Sequence, residues 1–251
     1  MKGTVRGLAR GNDGSTAPRA EIPAEHIDDL AAWGIRAFTT LRRAGTFGTS
    51  GVEPVGEVMS RWHALLDALA SQGPRFATAG QVHGDRVVVH NGDWEGWLRV
   101  PAADGHVAPA RGTGMAVTVA DCVPVFIAHP SGAAALLHSG WRGTAARIVE
   151  RAIAALTALD LAPGDLRIHL GPAICGDCYE VSPDVHGRLT GHSVSGPTRV
   201  DLRMLIADHA RAAGVRRIDI SNCCTLCDNE RFFSHRAGDT GRQLGVLMAT
   251  Q

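Results

Sequence analysis

Short apolar runs constrain this chain more than any other feature. Residues 86–90, 115–119, 123–128, 133–138, 166–170 and 217–220 are rich in β-branched or aliphatic side chains and read as strands. Most are apolar on both faces, without the alternation of a half-solvated strand, so they need cover on both sides. Three other segments carry helical spacing. Val58, Trp62, Leu65, Leu66 and Leu69 line one face of residues 54–70. Ile148, Ala152, Ile153, Leu156 and Leu159 do the same over 144–160, which Pro163-Gly164 ends. Leu202, Leu205, Ile206 and Ala210 do so over 201–213, with Asp201 as the N-cap. Helices and strands mix without strict βαβ alternation. No G-x-G-x-x-G follows a strand, and there is no Walker A sequence, internal repeat or long linker. The pattern predicts an α/β fold, a mixed-sheet layered sandwich with helices on the outside. A single domain over residues 21–251 is expected, behind a flexible lead-in over residues 1–20.

The chain has 251 residues and is 45% hydrophobic, enough for a sizeable core. Lys+Arg and Asp+Glu both number 25. That balance lacks the basic footprint of a nucleic-acid binder. It allows a monomer or a weak homodimer. No apolar run approaches the roughly 18 residues of a transmembrane helix. The first twenty residues have no apolar core of a secretory signal, so a cytoplasmic location is expected. Six cysteines in such a chain should be reduced, each a core residue, a metal ligand or a nucleophile.

Three segments present polar or soft side chains at the ends of apolar strands, beside Gly or Pro. They are Gln81-Val82-His83-Gly84-Asp85, Ala120-Asp121-Cys122-Val123-Pro124 and His138-Ser139-Gly140-Trp141-Arg142-Gly143. A lone histidine in a glycine turn is most often a hydrogen-bonded surface residue, and a lone buried cysteine a small hydrophobe. Spacing alone leaves these readings open, because the three segments are far apart along the chain.

Taken with Gly171–Val181 (GPAICGDCYEV), Val200-Asp201-Leu202 and Arg231-Phe232-Phe233-Ser234-His235-Arg236, these motifs come in an order that resembles the polyphenol oxidase / laccase-domain family. Its members have been described as purine nucleoside phosphorylases with adenosine deaminase side activity. The similarity runs from about Phe38 to the C-terminus. It implies a zinc site with His83, Cys122 and His138 as ligands and a fourth position open, the pattern of a catalytic zinc. Water in that position would have its pKa drawn towards neutrality, for attack on a purine C6. Phosphorolysis would instead send phosphate to the sugar C1′, which calls for guanidinium groups. Arg142 is the first candidate, with Arg61 and Arg42 behind it. Asp121 and Glu180 are candidate acid/base or ribose-binding groups. The implied partners are purine nucleosides and phosphate. The sequence departs from the family at residues 46–56, which lack its Asn-Leu-Gly stretch. Ser60 stands where the family has Asn, and His235 where it usually has Tyr. These departures bear on substrate preference more than on metal binding.

Other readings remain. The family's older name points to a copper polyphenol oxidase, and two imidazoles with a thiolate could bind Cu²⁺ in vitro. No His-x-His pair of the multicopper kind occurs in the chain. Cys122 with a histidine base would make a cysteine hydrolase. A non-catalytic metal-binding partner protein is a further reading, without a tail or amphipathic stretch to favour it. Cys175-x-x-Cys178 and Cys224-x-x-Cys227 could together form a structural site of four thiolates, or be ordinary reduced thiols.

Overall fold

The computed structural model describes residues 22–251, so the lead-in expected over residues 1–20 lies outside the described residues. Strands β1 (Ala24–His26) and β2 (Ile35–Thr40) precede helix α1 (Val55–Leu69). Seven strands follow: β3 (Arg75–Ala79), β4 (Val87–Val89), β5 (Gly96–Val100), β6 (Gly105–Ala108), β7 (Thr113–Val119), β8 (Val123–Ala128) and β9 (Ala134–Ser139). Then come α2 (Trp141–Ala145), α3 (Ile148–Thr157), β10 (Arg167–Leu170), β11 (Glu180–Val181), α4 (Pro183–Thr190), β12 (Thr198–Arg199), α5 (Leu202–Ala212), β13 (Arg217–Ile220) and β14 (Gln243–Ala249).

Two six-stranded mixed sheets form, in the orders β1-β2-β14-β7-β3-β5 and β13-β10-β8-β9-β6-β4. The apolar strands show why both faces had to be greasy. In β8, Val123, Val125 and Ile127 pack with Val149, Ala152 and Leu156 of α3 and Ile206 of α5. The alternate residues Phe126 and Ala128 pack instead with Met115 and Val117 of β7 and Leu247 of β14. On the far side of the first sheet, Phe38, Ala116, Leu244 and Val246 meet Val58, Trp62, Leu65 and Leu69 of α1. The layers run α3 and α5, second sheet, first sheet, α1. This is the expected α/β sandwich with helices outside, in a single domain.

Several elements differ from the sequence reading. The helix expected over 144–160 starts at Ile148, because Arg147 takes a left-handed φ of 60° and separates it from α2. Strands β2, β3 and β14, all interior strands of the first sheet, carry Ala, Gly, Thr and Arg among their apolar residues and give no strong strand pattern. Their pairing decides their conformation. Helix α4 carries no apolar periodicity that would announce it, although Ser182 caps it and Pro183 follows at its first position. Among the described residues, no helix is long and apolar enough to cross a membrane.

Phe126, fully buried, wedges between the sheets. Glycine makes room for it twice: a Cβ at Gly171 would sit 3.1 Å from its ring and one at Gly245 3.2 Å. Phe126→Ala should therefore cost about 3–5 kcal/mol in urea unfolding. A loss below about 1 kcal/mol would mean that the intersheet layer closes over the gap.

Candidate metal centre

The antiparallel register of β8 with β9 pairs Val123 with Ser139 and Pro124 with His138, so Cys122 and His138 emerge at the same sheet end. His83 arrives from the loop before β4. Gln81 anchors that loop to β7: its Oε1 accepts from Thr118 N at 2.7 Å, and its Nε2 donates to Thr118 O at 2.8 Å. His83 and Asp121 take left-handed φ values of 59° and 78°, which turn the two loops sharply. One ligating atom from each of His83, Cys122 and His138 lies within 4.8 Å of the others. Around zinc, with bonds of about 2.0–2.3 Å, tetrahedral ligands stand roughly 3.3–3.8 Å apart. Gly140 is required beside them, since a Cβ there would lie 2.8 Å from Cys122 Sγ.

Asp104, fully buried, organises the trio. Its carboxylate accepts from the backbone N–H groups of Val82, His83 and Gly84 at 3.2, 3.0 and 2.7 Å. His138 Nδ1 donates to it at 2.8 Å, which leaves Nε2 as the nitrogen for an ion. Burial alone would raise the Asp104 pKa, but the His138 hydrogen bond and those from Gly84 and Val82 hold it below its ordinary value. Burial likewise opposes charge on Cys122. The neighbouring His138 charge and its hydrogen bond, then those of His83, outweigh this and bring the thiol down to about 6. His138 moves the other way, to about 9: burial opposes its charge, and the Cys122 thiolate and Asp104 more than compensate. The donor set of two imidazoles and a stabilised thiolate fits zinc.

The trio opens on a cavity of about 720 Å³. Arg142 lines it, with its guanidinium 4.4 Å from the Trp141 ring. Asp121 also lines it, but both carboxylate oxygens are taken, by Thr225 Oγ1 at 2.6 Å and Arg236 N at 2.7 Å. Arg61, Arg42 and Glu180 are not among the lining residues. Arg61 pairs with Glu53 and donates to Thr46 O at 2.8 Å, holding the loop whose residues Phe47–Ser50 form part of the wall. Arg42 clasps the 229–239 segment by bonds to Asn229 O at 2.7 Å and Phe232 O at 3.1 Å, and by pairing with Asp239. The Glu180 side chain is exposed; its backbone oxygen accepts from Arg236 at 3.1 Å.

Sequence reasoning did not single out Asp104, Arg99, Trp97, Tyr179 or Arg236 as site residues, yet the last four line the cavity. Asp104 sits in an ordinary Ala-Asp-Gly stretch that carries no motif. Arg236 could have been found, since it closes the Arg-Phe-Phe-Ser-His-Arg segment.

Residues 47–250 match the protein family described as multi-copper polyphenol oxidoreductase laccase. The chain is 35% identical over 175 residues to a purine nucleoside phosphorylase of Streptomyces griseus, covering 66% of this chain and 71% of that protein. It is 32% identical over 260 aligned positions to a purine nucleoside phosphorylase of Mycobacterium tuberculosis, covering 96% and 97%. The crystal structure of hypothetical protein YfiH of Bacillus licheniformis superposes with a TM-score of 0.84 at 23% identity, over 92% of this chain and 98% of that one. At that identity the likeness concerns the fold alone.

Two outcomes are expected. In protein stripped of metal, iodoacetamide should alkylate Cys122 with a pH midpoint near 6, because its depressed pKa keeps the thiolate present until the pH falls through that value. A midpoint near the ordinary thiol range of about 8.5 would contradict the charge pairing. Asp104→Asn should weaken zinc binding about 10–100-fold in chelator competition, by loosening the His138 ring. Unchanged affinity would remove the orienting role of Asp104.

Proposed function

Because the chain belongs to the family described as multi-copper polyphenol oxidoreductase laccase, we propose that it is a zinc-dependent purine nucleoside phosphorylase that also deaminates adenosine. One observation carries this reading: His83, Cys122 and His138 converge at a cavity that also holds guanidinium groups and stacked aromatic rings. Relatives of similar length are named purine nucleoside phosphorylase, which supports the phosphorolysis part of this reading.

The ion, when bound, supplies a Lewis acid for a substrate oxygen and lowers the pKa of water. The remaining work belongs to the chain. Trp62 and Trp97 stack at 5.1 Å, with the Trp62 indole N–H held by Phe47 O at 3.1 Å and the Trp97 indole N–H by Thr78 Oγ1 at 2.9 Å. Rings fixed in this way give a purine a flat apolar surface without an ordering cost. Among the described residues, Arg99 and Arg142 line the cavity without an ion pair, which leaves their forks for phosphate oxygens. Among the titratable wall residues beyond the trio, His235 and Tyr179 could protonate the departing base, while both Asp121 oxygens are already engaged. Asp121 and Arg61 serve as braces in this reading. Glu180, outside the lining, takes no catalytic part.

A second reading has its own support. Asp104, His138 and Cys122 form a carboxylate–imidazole–thiol relay, the arrangement of a cysteine hydrolase. Copper chemistry of the multicopper kind lacks donors, since among the described residues no other histidine joins the trio's cluster.

Adenosine, inosine and methylthioadenosine should each be tested with and without phosphate. Phosphate-dependent release of free base, with ribose 1-phosphate or its methylthio analogue, is expected. Ammonia from adenosine should appear without phosphate. Arg142→Ala should raise KM for phosphate by about tenfold, roughly 1.4 kcal/mol of binding. No turnover of any nucleoside by the zinc-loaded protein would end the proposal, and metal-free protein acylated at Cys122 would favour the hydrolase.

A further inference from the structure

The second donor cluster lies beside the cavity, outside its lining, and has no part in the reading above. Cys175 and Cys178 sit between Ile174 and Tyr179, both of which line the cavity. Cys224 and Cys227 follow β13. The two C-x-x-C segments are about 45 residues apart in sequence, and a parallel bridge between Ala173 and Cys224 brings them side by side. Thr225 N donates to Ala173 O at 3.2 Å and completes the join.

Each segment folds as a tight turn. Cys178 N and Tyr179 N both donate to Cys175 O, at 3.1 and 3.0 Å, and Asp228 N donates to Cys224 O at 2.8 Å. Inside the turns, the Cys224 sulfur accepts from two backbone groups, Cys175 N at 3.3 Å and Cys227 N at 3.4 Å. Hydrogen bonds from backbone N–H favour a thiolate over a thiol. All four sulfurs lie within 4.8 Å of one another, with Cys178 and Cys227 at 3.5 Å. Zinc–sulfur bonds of about 2.3 Å require tetrahedral sulfurs roughly 3.8 Å apart. The observed spacing is close to that and far from a disulfide, whose sulfurs are about 2.05 Å apart.

We propose that Cys175, Cys178, Cys224 and Cys227 bind a second zinc ion as a closed structural site. Four thiolates converging without a cation would repel one another strongly, and zinc removes that repulsion when the thiols lose their protons to it. Four protein ligands leave no vertex for substrate, so the site is structural. Its effect falls on the cavity wall. The ion ties the 173–181 segment, with Ile174 and Tyr179, to the segment after β13. Thr225 in that segment holds Asp121, the neighbour of Cys122, and Asp121 in turn holds Arg236. Loss of the ion should loosen one wall of the cavity without touching the first site's ligands.

The proposal does not rest on the phosphorylase reading, and its test needs no activity. The full chain would be produced in zinc-supplemented medium and purified under reducing conditions, with metal measured by mass spectrometry. Two zinc equivalents per chain are expected, falling to one in His83→Ala/His138→Ala and to one in Cys178→Ser/Cys227→Ser. If the serine variant fails to fold, the histidine variant still decides. Loaded with cobalt, it should show the intense sulfur-to-cobalt charge-transfer bands and red-end d–d bands of a tetrathiolate. At most one equivalent in the unaltered chain, with none in the histidine variant, would overturn the second site. Disulfides among these cysteines in intact-mass analysis, or red iron-loaded protein, would overturn its assignment to zinc.

Discussion

A buried carboxylate that would be costly alone, Asp104, holds the rest of the site in place. An unpaired charge with no exposure to water is strongly destabilised, and Asp104 escapes this through four donors. Three are backbone N–H groups of Val82, His83 and Gly84, and the fourth is the His138 ring. The same bonds bend the His83 loop into its left-handed turn and set the His138 tautomer. The backbone joins in, as His138 N donates to Asp104 O at 2.7 Å. One residue thus couples the loop before β4, the start of β6 and the end of β9.

The sandwich gives Asp104 a rigid frame. With both faces of β8 and β9 packed, one on α3 and α5 and the other on the first sheet, neither strand can slip in register without exposing its apolar side. Register in turn fixes where Cys122 and His138 leave the sheet. The long braces work at a second level. Gln81 to Thr118, Arg61 to the 46–53 loop, and Arg42 to the 229–239 segment each join cavity walls to a sheet or helix. Two arginines that look from the sequence like substrate ligands, Arg61 and Arg42, are used up in this bracing, whereas Arg142 and Arg99 line the cavity without an ion pair among the described residues.

The two donor clusters divide along chemical lines. The mixed imidazole and thiolate set borders the cavity with three ligands, which suits chemistry at an open vertex. The four sulfurs would fill every vertex of the proposed second ion, and they lie where two chain segments meet at the Ala173–Cys224 bridge. A chain with no disulfide among its described cysteines can gain through metal binding the stapling that a secreted protein obtains by oxidation.

Much of this could be read in the residues. Apolar runs without alternation announced strands buried on both faces, and helical spacing found α1 and α5 to within a residue or two. The ordered motifs point to His83, Cys122 and His138 as the donors. What the sequence could not show is partnership over distance. Asp104 looks ordinary until His138 and the 82–84 loop close on it, and Arg61 looks available until Glu53 and Thr46 claim it. Strands β3 and β14 have weak local preference and are strands because their neighbours pair with them. Local sequence determines periodicity, turn chemistry and the kinds of donor present, since these depend on residues a few positions apart. Only the tertiary structure decides which donors share a coordination sphere and which charges are already spent, because those energies depend on through-space distance and the exclusion of water.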